Sequence, residues 1–124
     1  MEIDLENGCI KVRDDLTYHF KDIVPRKELK LIKELRDKHE KLEEKGIENL
    51  SQKEIEKIEE EWFNAVLPLG LKNFKKEDLD TLSEGEIREM TASTFVFLTK
   101  FGSTDLARQF VTSTKEIKKN EQKQ

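Results

Sequence analysis

SEGEIREMTASTFVFLTKFG, residues 83–102, decides how the rest of the chain is read. Ser83 with Glu86 at the third position forms a capping box, in which the serine oxygen accepts from the third amide and the glutamate reaches back, so a helix starts here. Gly85 in the first turn weakens that start by up to about 1 kcal/mol without preventing it. Ile87, Met90, Thr94, Leu98 and Phe101 recur at helical spacing as one stripe; Phe95 and Phe97 lie to either side and Val96 points the opposite way. No charge interrupts residues 90–99. A helix apolar over most of its circumference is either the central element of a domain or a face presented to another molecule.

Outward from this helix the signals are also helical. Gly102 suits a left-handed cap, Ser103 can cap a further helix, and Leu106, Ala107, Phe110, Thr114 and Ile117 give that helix one moderately apolar side before it frays from Lys118. Upstream, residues 75–81 read as a short helical turn that brings Leu79 and Leu82 to the core. Ser51 and Glu54 form a second capping box, opening a helix whose core face is Ile55, Ile58, Trp62, Ala65, Val66 and Leu69 and which Pro68 and Gly70 close or kink. A charged helix runs from Pro25 to about Lys45 and ends at Gly46; its seam is Leu31, Leu35 and Leu42, flanked by Ile32 and His39. Tyr18, His19 and Phe20 fall in a polar connector.

At the N-terminus, residues 2–13 alternate around Asn7-Gly8, a strong two-residue hairpin signal. That loop sets Glu6 opposite Cys9, Leu5 opposite Ile10, Asp4 opposite Lys11, Ile3 opposite Val12 and Glu2 opposite Arg13, with apolar pairs on one face and opposite charges on the other. An isolated hairpin is marginal in water, so its apolar face must rest on a helix or a partner. The expected fold is mainly α: four to five helices in an irregular bundle with a small N-terminal β-hairpin. Residues 1–118 form a single domain and 119–124 a flexible tail.

Composition agrees. Leu, Ile, Val and Phe make up 35 of 124 residues, enough for a core, while charged residues reach 40% and glycine and proline are scarce, which excludes a β-sandwich or barrel. The net charge of -4 gives nucleic acid no electrostatic reason to bind the chain as a whole. No apolar run approaches the roughly 18 residues that span a bilayer, and the start Met1-Glu2-Ile3-Asp4 lacks the basic residues of a secretion signal, so no membrane contact and a cytoplasmic location are expected. The single Cys9 can form no internal disulfide and reads as a small strand side chain.

Signs of chemistry are sparse. Asp15, His19 and Asp22 could share a helical face toward a divalent ion, but one histidine without a further ligand makes a solvated connector the better reading. His39 and Glu43 read as a seam-edge histidine or a surface ion pair, and Glu59, Glu60 and Glu61 point about 100° apart, too far to flank one bond. There is no nucleophile elbow and no phosphate-cradling glycine loop. No catalytic, metal or cofactor set follows, and the chain is expected not to be an enzyme. A helix-turn-helix registered on Gly102 fails, because Leu98 falls where a small residue is needed and Arg108 where an apolar one is needed. The hairpin face, the sheet edge, Phe95 and Phe97 either close the monomer's own core or meet a protein partner.

The order of an Asn-Gly hairpin, Leu16-Thr17 before a Leu-rich charged helix, Phe74-Lys75-Lys76-Glu77-Asp78-Leu79, and Leu82-Ser83 leading into Ile87 and Phe97-Leu98 resembles the tail assembly chaperones of long-tailed bacteriophages and prophages, over roughly residues 5–101. Those chaperones carry Thr after the Phe where this chain has Lys75. The resemblance implies a helical, non-enzymatic protein that binds the tape-measure protein, recruits tail-tube protein and self-associates as a homo-oligomer. It implies Phe95, Phe97 and Phe101, supported by Trp62, as client or self-contact residues, and the hairpin, with Leu5 and Ile10, as a second contact by strand addition. The alternative is a small cytosolic helical regulator or adaptor, touching nucleic acid through Lys115, Lys118, Lys119 and Lys123 at its basic end.

Overall fold

A computed structural model describes residues 1–44 and 46–122. Three strands, β1 (Glu2–Asp4), β2 (Cys9–Arg13) and β3 (Leu16–His19), precede four helices, α1 (Arg26–Glu43), α2 (Gln52–Gly70), α3 (Glu84–Lys100) and α4 (Thr104–Gln122). Short 3-10 turns at Ile47–Asn49 and Lys76–Asp80 join them. The fold is mainly α with a small N-terminal sheet, as the sequence pattern predicts. Lys45, the expected end of α1, and Lys123 and Gln124 of the expected tail lie outside the described residues, as do the side chains of residues 115–122. The α4 backbone is helical through Gln122, past the point where fraying was expected.

The hairpin register differs from expectation by two residues: Glu2 faces Lys11, Ile3 faces Ile10 and Asp4 faces Cys9. Asn7-Gly8 is not a two-residue turn of the type that needs positive φ at both positions, because Gly8 has φ 68° and no described non-glycine residue has positive φ. Residues 5–8 instead form a longer loop held by Asp4, whose carboxylate accepts from the Asn7 amide at 3.0 Å and from Asn7 Nδ2 at 2.7 Å. A slip of two preserves which side each residue faces, so Ile10 and Val12 still point into the core while Ile3, on the outer strand, is exposed.

The expected polar connector is the third strand. Antiparallel β2 and β3 pair from Cys9–His19 to Arg13–Leu16 with a bulge between Lys11 and Arg13. Tyr18 and Phe20 fill the core: Phe20 stacks on Phe97 with ring centroids 4.3 Å apart, and Tyr18 tilts against Phe74 and donates to Asp78 Oδ2 at 2.9 Å. The outer edge of β3 is occupied, since Lys72 N–H donates to the His19 carbonyl, Asn73 Nδ2 to the Thr17 carbonyl and Lys21 N–H to the Gly70 carbonyl.

Helix α3 is the central element. Ile87, Met90, Thr91, Thr94, Phe97 and Leu98 are buried against the sheet and α2, and both halves of the Ser83 capping box form. Gly70 lets α2 approach: a Cβ there would collide with the Thr94 methyl. Pro68 neither ends α2 nor is buried, because it lies in the last turn where one lost amide bond is tolerated. Ser51 accepts from the Glu54 amide, but its hydroxyl also donates to the Glu54 carboxylate at 3.1 Å instead of receiving the full reciprocal box. The α1 seam is rotated from expectation, with Ile32 and His39 buried and Leu31 63% exposed, because one flank of the expected stripe and not its centre meets α2.

Candidate docking groove

Two antiparallel stripes meet where α1 crosses α2. The spacing of Ile32, Leu35 and His39 carries α1 along the seam until an imidazole reaches α2. Of the two sequence readings, His39 is the seam-edge histidine and not the surface partner of Glu43: its Nε2 lies 3.4 Å from Glu61 Oε2, and its ring stands edge-on to Trp62 at 6.2 Å. The hydrogen bond with His39 holds the Glu61 carboxyl below the usual carboxylate range, and Lys38 Nζ at 3.6 Å adds to it. Being a partly solvated pair, it orients the buried ring more than it stabilises the fold.

Alongside this contact, α1 and α2 border a solvent-open cleft of about 310 Å³. Its floor is Ile58, Trp62 and Phe63 from α2, with His39 as one wall. Its rim is Glu40 and Glu43 from α1 and Glu59 from α2, with Arg36 the cation among the lining residues. Phe63 and Glu59 are shared with a second cleft of about 300 Å³, where Leu79 and Ile87 form apolar wall and Glu56, Glu60, Asp80 and Glu84 line the sides. The two clefts adjoin at Phe63 and Glu59: the first has an aromatic floor, and both have acidic margins. Such a surface suits the apolar stripe of a helix flanked by lysine or arginine.

The residues singled out from the sequence are divided by the structure. Trp62 lines the cleft, and Phe95 packs beside it, half-buried, with centroids 5.3 Å apart and Arg36 over its outer face at 5.9 Å. Phe101, also half-buried, sits at the other end of α3 against Phe110 at 5.4 Å. Leu5 is half-buried in the hairpin loop. Phe97 and Ile10 are corrected: at 1% and 0% exposure they are core, because α3 receives the sheet on the Phe97 side and Ile10 is on the inner face of the middle strand. Neither can touch a partner while the domain is folded.

His39, Ile58, Phe63 and Glu59 complete the cleft and were not singled out for it. The signal was the adjacency of Trp62 and Phe63, two consecutive large aromatics about 100° apart that one narrow core stripe cannot both bury fully, and both are half-buried. Asp15, His19 and Asp22 are not gathered, because a strand and not a helix carries His19, and among the described residues no group of three or more His, Cys, Asp or Glu could hold a metal. Among the described residues no helix is long and apolar enough to cross a membrane. No protein-family model matches the chain, and no curated protein or solved structure matches it at a significant level.

Proposed function

We propose that this chain is a non-enzymatic protein-binding module acting in the cytoplasm as a tail assembly chaperone, holding amphipathic helices of a tape-measure protein and recruiting tail-tube subunits. The observation that carries this reading is the solvent-open cleft of Ile58, Trp62 and Phe63 with its glutamate rim. An apolar floor shields the greasy stripe of a client helix, and acidic margins keep the complex soluble while selecting basic flanks. The element order that resembles such chaperones supports the same reading independently of the cleft.

Co-expression tests it. A tail assembly chaperone should be encoded directly upstream of a long, coiled-coil-rich gene; the chain should co-elute with that gene's product, and Trp62→Glu should weaken the association by about tenfold or more while helical circular dichroism is kept. Absence of co-elution, or capture indifferent to Trp62→Glu, overturns the proposal.

A further inference from the structure

We infer that the α1–α2 groove of one copy receives helix α4 of a second copy. This rests on reading the groove as a docking site and goes beyond it by naming an occupant. Helix α4 is amphipathic, yet Leu106 and Phe110 remain 51% and 45% exposed. Its described polar and aromatic contacts with the rest of the molecule lie in residues 104–110: the Thr104 amide donates to the Asp22 carbonyl at 3.0 Å, Arg108 Nε donates to the Glu6 carbonyl at 3.1 Å, and Phe110 meets Phe101 and Lys100. The helix is 19 residues, about 28 Å at 1.5 Å per residue, so its backbone runs some three turns past those contacts.

Charge selects the partner. Groove cations are already engaged: Arg36 lies 3.8 Å from Glu40 and over Phe95, and Arg88 beside the second cleft pairs with Glu59 at 3.2 Å and Glu84 at 3.9 Å. Glu43, Glu56, Glu60 and Asp80 leave the margins strongly negative. The sequence after residue 114 is of opposite sign, with Lys115, Lys118, Lys119 and Lys123 against Glu116 and Glu121. One chain thus carries both an acidic-rimmed apolar groove and an amphipathic helix continuing into a basic segment, which is complementarity between copies.

Light scattering on the purified full chain tests this. The mass should rise above the monomer with concentration and fall when salt goes from about 0.1 M to about 1 M, where the Debye length shrinks from roughly 10 Å to 3 Å. Glu40→Lys with Glu43→Lys, and separately Lys118→Glu with Lys119→Glu, should each weaken self-association by about tenfold or more, and mixing the two double variants should restore it. A monomer at every concentration, association indifferent to either pair, or failure of the mixture to associate overturns the inference. Client capture separates the two readings: the Lys118→Glu/Lys119→Glu protein should still bind client, so loss of self-association with capture intact leaves the proposed function standing, and absence of client capture with self-association intact removes only that function.

Discussion

Thr94 sits where α3 packs against Gly70 of α2, and among the described residues its hydroxyl is the buried side-chain polar atom without a hydrogen-bond partner. Thr91 and Thr99 send theirs to carbonyls four residues back, at 2.6 and 2.9 Å. An unmatched buried hydroxyl costs about 1–3 kcal/mol, whereas valine keeps the branched shape and the methyl that meets Gly70. Thr94→Val should therefore raise stability by about 1 kcal/mol in urea unfolding; an equal loss would mean that the hydroxyl is bonded after all. Tyr18, the chain's single tyrosine, gives a second handle. Burial, then the hydrogen bond to the Asp78 carboxylate, pushes its phenol up to about 12. A raised acid pKa means that the unfolded chain loses the proton first, so this contribution is intact below about pH 10 and lost as pH rises toward 12. Absorbance at the phenolate band should titrate near 12 in the native protein and near 10 in urea.

Gly8 closes the hairpin loop in a left-handed conformation. Its φ of 68° is costly for any side chain, and a Cβ there would lie 3.1 Å from Thr104 Cγ2 at the start of α4. Gly8→Ala should cost about 1–2 kcal/mol by thermal or urea melting and loosen the loop against α4. This glycine also marks how far the sequence could be read. Asn7-Gly8 announced the hairpin correctly, but a dipeptide does not specify loop length, and the deciding bond comes from Asp4, outside the pair. The capping serines at 51, 83 and 103 gave helix starts because caps are local chemistry. Strand β3 was hidden because its turn, Asp14-Asp15, lacks glycine, and because its edge is held by residues 70–73, far along the chain. The cleft was half legible: Trp62 is visible as a large aromatic, while the imidazole wall depends on how α1 is rotated on α2, a property of packing.

At the scale of the molecule, the sheet, α2 and α3 share one core through the Phe20–Phe97 stack, while α4 is tied on mainly at its beginning, with Ala107 buried there. Amide exchange should follow this gradient, slowest in α2 and α3 and faster in α4 after residue 110. Uniform protection along α4 in the dilute monomer would show it anchored along its length. Cys9 lies at the foot of the middle strand, buried, and burial pushes its thiol above the ordinary cysteine range. Alkylation of that buried sulfur requires the packing around Cys9 to open, and each chain offers one such target. The rate of labelling is therefore an internal stopwatch for opening around the N-terminal sheet, readable without substituting any residue.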